Sequence, residues 1–294
     1  MIIVGIEDSL RGQDAVALAG EIGVTSGAEV LAVCAYPYDD APAAHYNLAM
    51  RAPLREAAEE TLLRTCTPLS TMTKVHRRAI ADVAPARALL AAAAETDAAL
   101  IVVGSSHAGF SGHVLPGTTG AHLLDGAPCP IAIAPQGHRL RPHRSNGRVI
   151  VAYDGSPTAH AALRAGAQLA DAAGRSLRVV TVFDADVAAP PWLHVPAGYV
   201  RVPEDAGNAA REELDRVVAA TPGAEAAFLV GDPAVELARE SEFAELLVIG
   251  SRNYGPAPAR PAVRGLRETT DRDRGLTLIA PVCASHTFRT CPRT

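Results

Sequence analysis

Two short segments, each present twice, hold the residues best suited to chemistry. The first is the turn Glu7-Asp8-Ser9, which returns as Asp154-Gly155-Ser156. Each follows an apolar run and precedes a helical pattern. A carboxylate at such a turn can accept hydrogen bonds from ribose hydroxyls, and the serine can cap the helix that follows. Sugar binding and simple capping both fit these residues. The second segment begins with Gly104 and His107 and ends with Gly117, Thr118 and Thr119; its counterpart begins at Gly250. Small residues let backbone N–H groups approach phosphate oxygens, and a helix opening at Thr118 and Thr119 favours an anion at its N-terminus. An ordinary flexible turn is the alternative. No Gly-Lys-Ser/Thr is present, so this is no Walker loop, and it does not follow the first strand as a dinucleotide fingerprint would.

The elements around these segments repeat as well. Val4–Ser9 matches Val151–Ser156, and Leu100–Ser106 matches Leu246–Arg252. Ser9 to Ser156 is a step of 147 residues and Gly104 to Gly250 one of 146, as duplication of a whole domain requires. Each copy alternates short apolar runs with helical periodicity. In the first copy strands are expected at 1–6, 29–36, 74–79, 99–103 and 130–134. Helices are expected across Ala15–Ile22, from Pro53 to Thr65, from Pro85, and over 117–124. In the second copy strands are expected at 149–153, 177–183, 226–230, 246–249 and, more weakly, 276–280. Its helices fall at 159–173, 205–220 and 234–242. The alternation predicts an α/β fold of two tandem, doubly wound, five-stranded parallel-sheet domains. Their expected bounds are 1–136 and 148–294, with an exposed Arg-, Pro- and His-rich linker at 137–147.

The 294 residues are 48% hydrophobic and 20% charged, enough for two ordinary cores. A net charge of -5 and 4% aromatic residues argue against nucleic acid as a partner. No run is long and apolar enough to span a membrane, and the start MIIVG enters a strand with no basic leader, so a cytoplasmic protein is expected. Cys34 and Cys129 lie in apolar runs as core residues. Cys283, His286 and Cys291 lack a fourth ligand at zinc spacing, so no metal site is expected.

Taken together, the turn, the glycine loop and the strand Ala127-Pro128-Cys129-Pro130-Ile131 resemble the universal stress protein family in its tandem form. The resemblance covers nearly the whole chain and weakens after Tyr254. It implies an adenine-nucleotide alpha-hydrolase-like, Rossmann-like fold and a stress-response regulator that binds ATP, with Mg as a possible companion, and at most very weak hydrolysis. It also implies that strand five of each copy joins the other in an intramolecular pseudo-dimer, with a homodimer as a further possibility. Glu7 or Asp154 would hold ribose, with Ser9, Gly155 and Ser156 in the same turns. Ala35 or Val182 would face adenine. Val103, Gly104, Gly117, Thr118 and Thr119, and Gly250 in the second copy, would surround phosphate. His107 would either donate to a phosphate or cover the pocket mouth.

The two copies depart from the pattern in opposite ways. In the first, Glu7 and Asp8 stand where the family has Asp-Gly and His107 where its loop has a second glycine, but Gly104, Gly117, Thr118 and Thr119 are kept. The second keeps Asp154-Gly155-Ser156, but has Asn253, Val263 and Arg264 where glycines and a hydroxyl residue belong. Binding chiefly in the first copy is the expectation. The alternatives are an interaction protein of the same fold without nucleotide, and an adenylating enzyme. The enzyme would require a Ser-Gly-Gly-type loop that Glu7-Asp8-Ser9 does not supply. The change of composition near Ala257 is as abrupt as a shifted reading frame would make it. If that is its cause, another frame of the gene should encode an apolar strand of the Ala-Pro-Cys-Pro type, which sequencing and translation will check.

Overall fold

A computed structural model describes residues 1–38, 48–105, 117–124, 127–140, 147–184, 204–241, 244–250 and 276–280. The first half runs β1 (Ile2–Gly5), α1 (Leu10–Ser26), β2 (Val30–Tyr36), α2 (Leu48–Cys66), β3 (Val75–Ala81), α3 (Pro85–Thr96), β4 (Leu100–Gly104), α4 (Gly117–Leu124) and β5 (Ile131–Ala134). The second runs β6 (Arg148–Ala152), α5 (Pro157–Ala173), β7 (Ser176–Phe183), α6 (Glu204–Ala219), β8 (Ala224–Val230), α7 (Pro233–Ser241), β9 (Ala244–Gly250) and β10 (Leu276–Ala280). These are the elements expected from periodicity, with ends moved by a few residues. α1 and α2 each begin five residues before the expected start, at Leu10 and Leu48, and α2 takes Pro53 into its interior. A proline there removes a single i→i−4 bond, and the turn before it can still form.

Among the described residues ten strands form one sheet, in the order β3-β2-β1-β4-β5-β10-β9-β6-β7-β8. Within each half the pairs are parallel. At the centre β10 runs antiparallel to β5, with Leu278 opposite Ala132. The edges of the two fifth strands therefore meet as expected, and β10 closes both. The central strands read as continuous apolar runs because helices cover both faces. On one face α1, α2, α5 and α6 pack over Val4, Ala32, Val102, Val151, Val179 and Val248 as a single core that crosses both halves. On the other, α3 and α4 cover Ile3, Val33, Ile101 and Ile133, while α7 covers Ile150, Val180 and Leu247.

The start of the connection between the halves is not a loose tether. Gly137 N–H and Arg139 N–H donate to the Asp14 carboxylate at 2.8 and 3.1 Å, and the Arg139 guanidinium pairs with it at 2.9 Å. His138 adds a contact to Glu21 at 3.1 Å. Asp14 lies on α1 with its side chain only 1% exposed. A buried carboxylate must find donors, and this short 3-10 turn (His138–Leu140) supplies them. Composition alone favoured exposure for this segment; the buried acceptor on α1 draws it in.

Asp14→Ala should lower stability by about 2–4 kcal/mol, since it orphans two amides and a partly buried guanidinium. Arg139→Ala should cost less, because the backbone donors remain. Urea denaturation midpoints of the two variants will rank them.

Candidate functional site

In each half the strand order reverses beside the first strand, between β1 and β4 and again between β6 and β9. Open parallel sheets bind ligands at that point, beyond the carboxyl ends of the strands. The turn after β1 and the end of β4 both lie there, as do their counterparts after β6 and β9. Ala35, near the end of β2, flanks β1 on its other side.

In the first half Ser9 has extended backbone and caps α1, its side chain accepting from Gly12 N–H at 3.2 Å. The Ser9 amide donates to the Glu7 carbonyl at 2.9 Å. The Glu7 carboxylate is thereby left to side chains: Ser9 Oγ donates to it at 2.7 Å and Arg11 Nε lies 3.0 Å from it. Arg64, from α2, reaches Asp8 at 2.6 Å. In this turn the carboxylates of Glu7 and Asp8 are thus each matched by a guanidinium group.

The second half builds the same turn differently. Gly155 takes the left-handed conformation, at φ 75°. Asp154 Oδ1 can then accept the Ser156 amide, at 3.0 Å. Ser156 caps α5 through Ala159 N–H and shares a contact with Thr158 at 2.9 Å. Asp8, at the place of Gly155, is not in the left-handed region, so the carbonyl of Glu7 rather than its carboxylate takes the amide. Both serines are therefore helix caps, whatever else these turns bind.

Gly104 and Gly250 have a packing role that spacing did not reveal. A Cβ on Gly104 would sit 2.6 Å from the Arg11 carbonyl oxygen. One on Gly250 would sit 2.7 Å from the backbone of Thr158. The first turn of α1 or α5 lies directly against the strand end, and only glycine admits it there. Val103 is buried among Leu31, Val33 and Ile133, so its side chain serves the core and only its backbone faces the mouth. Because β4 and β5 are parallel, α4 runs back between them, and Gly117 opens it at the carboxyl edge of the sheet. Thr118 is exposed and Thr119 half-buried. Ala35 and Val182 are both half-buried, on corresponding strands. His107, Asn253, Val263 and Arg264 lie outside the described residues, as do Cys283, His286 and Cys291. Among the described residues no cluster of three or more His, Cys, Asp or Glu is arranged to hold a metal.

Sequence reasoning passed over three polar groups near these mouths. Arg11 is the first, since one arginine in an otherwise apolar helical pattern gives no signal. Asp82, at the end of β3, accepts from Ala84 N–H at 2.7 Å and from Arg87 at 2.6 and 2.7 Å. The Arg87 hydrogen bonds hold its carboxyl below the ordinary carboxylate range. Third, the Tyr153 hydroxyl lies 3.1 Å from His160 Nε2 and donates to Glu213 at 3.2 Å, joining α5 to α6. Burial, with Glu213 beside it, pushes the Tyr153 phenol up to about 12, so it is no nucleophile near neutrality.

Two linked parallel α/β halves, each with a carboxylate turn and a close-packed glycine at its switch point, define the class to which the chain belongs. The universal stress protein family matches residues 1–135 and 145–265, and the chain belongs to it. No curated protein matches the chain in sequence. Among solved structures it is similar to a universal stress protein from Archaeoglobus fulgidus DSM 4304, with 17% identity, 95% of this chain and 98% of that chain covered, and a TM-score of 0.71. It is also similar to a putative universal stress protein from Pseudomonas aeruginosa UCBPP-PA14, with 17% identity, 95% and 92% covered, and a TM-score of 0.58. A shorter universal stress protein from Archaeoglobus fulgidus, solved in complex with dAMP, matches 45% of this chain and 94% of its own at 18% identity and a TM-score of 0.36. Among the described residues no helix is long and apolar enough to cross a membrane.

Two expectations follow from this geometry. Gly104→Ala and Gly250→Ala should each cost about 1–3 kcal/mol by forcing a helix away from its strand, seen as lower melting temperatures. Arg87→Ala should destabilise the protein at neutral pH, with the deficit shrinking in acid. The depressed pKa of Asp82 contributes stability above its unfolded value of 3.8, and this is lost as pH falls through the folded value. Unfolding of both proteins across an acid pH series will check the sign.

Proposed function

We propose that this protein binds adenine nucleotide, ATP foremost, chiefly in its first half, and acts in the cytoplasm as a stress-linked regulator rather than as an enzyme. One observation carries the reading. At the first switch point a ribose-length carboxylate turn, the end of β4 at Gly104 and the opening of α4 at Gly117 share one edge of the sheet. Glu7 would meet the ribose, the backbone beside Ala35 would meet adenine, and Gly104, Gly117, Thr118 and Thr119 would direct N–H and hydroxyl donors at phosphates. Magnesium, if it accompanies ATP, would be held through the phosphates. Membership of the universal stress protein family supports the same assignment. In sequence the second half has Val263 and Arg264 where the family pattern has a glycine and a hydroxyl residue, while it keeps Asp154 and Ser156 on the ribose side.

A second reading, an interaction protein of the same fold that binds no nucleotide, is favoured by the engagement of Glu7 with Ser9 and Arg11. Protein purified from cells and then denatured separates the two: released ATP supports the first, and its absence the second.

Titration of ATP into wild type, Gly117→Val and Asp154→Ala tests the choice of half. Each charge-assisted hydrogen bond is worth roughly 1.5–3 kcal/mol, so Gly117→Val should weaken binding at least tenfold. Asp154→Ala should leave it near wild type. The reverse pattern places the site in the second half.

A further inference from the structure

We propose that Arg11 makes the first half select a phosphorylated nucleotide over its uncharged nucleoside, by leaving Glu7 for the phosphate as the ribose takes its place. The inference rests on the nucleotide reading above and goes beyond it by naming a selectivity residue. Arg11 stands between the two parts of the mouth. Its backbone lies against Gly104, where the phosphate side begins, and its guanidinium reaches the carboxylate on the ribose side, 3.0 Å from Glu7. The pair is half-exposed, with side-chain exposures of 30% and 53%, so its attraction is screened and it is readily exchanged for another partner. One carboxylate does not saturate the five donors of a guanidinium, and a phosphate is a better match for that fork.

The exchange balances charge at both ends. Glu7 without Arg11 would be an uncompensated anion beside the incoming phosphates. With Arg11 moved onto the phosphate, Glu7 is free to accept from the ribose hydroxyls, and the cation lies between the two anions. Asp8 does not compete for Arg11, since Arg64 pairs with it at 2.6 Å. The second half shows the contrast. The residue under its strand-end glycine is Thr158, a buried hydroxyl held by Ser156 at 2.9 Å, and it brings no charge to that mouth. At the place beneath the strand-end glycine the cation is thus a feature of the first half.

The test titrates ATP and adenosine into wild type, Arg11→Gln and Arg11→Lys of the full chain. The contact with Gly104 uses the backbone and Cβ of residue 11, which both variants keep, and melting temperatures will check that they stay folded. Arg11→Gln should lose tenfold or more in ATP affinity while adenosine binds as well as or better than before. Arg11→Lys should recover part of the ATP affinity. The dependence of ATP binding on salt should be shallower in Arg11→Gln than in wild type. Unchanged ATP affinity in Arg11→Gln overturns the proposal, and so does an equal loss for adenosine, which marks a purely structural role. If wild type binds neither ligand, the nucleotide reading itself has failed.

Discussion

The structure depends on how closely a helix can begin against the end of a neighbouring strand. At Gly104 and at Gly250 there is no room for a Cβ, because the backbone of Arg11 or Thr158 already occupies that space. This contact fixes where α1 and α5 start. It therefore fixes the two caps, Ser9 and Ser156, and the carboxylates just before them. It also brings the first-strand turn and the end of the fourth strand to one point, which is where an open parallel sheet can receive a ligand. The same glycine thus supports fold and site at once.

Duplication gave the chain two such points, and small differences have made them unlike. Gly155 lets Asp154 fold onto the Ser156 amide. Asp8 does not adopt that conformation, so the amide goes to a carbonyl and the Glu7 carboxylate turns outward to Ser9 and Arg11. One half buries a tyrosine between His160 and Glu213, while the other places paired charges at its mouth. The halves remain one body because β10 pairs with β9 on one side and β5 on the other, and because a single core runs beneath α1, α2, α5 and α6. An edge strand left open at β5 would be a template for aggregation, so the central antiparallel pair also protects the molecule.

The sequence by itself determined the class of fold. Alternating apolar runs and helical periods, repeated at one offset, leave few arrangements other than two parallel sheets. It determined the capping serines and the switch-point carboxylates, because turn chemistry is local and written in adjacent residues. What it left to the tertiary structure were contacts between residues far apart in the chain. The docking of Arg139 onto buried Asp14 spans more than a hundred positions, and composition suggested only a solvated linker there. The service of Gly104 to helix packing was equally hidden, because a missing side chain has no pattern of its own. Arg11 was invisible for a related reason. Its meaning comes from standing between two segments nearly a hundred residues apart, and only the packing of α1 on β4 puts it there.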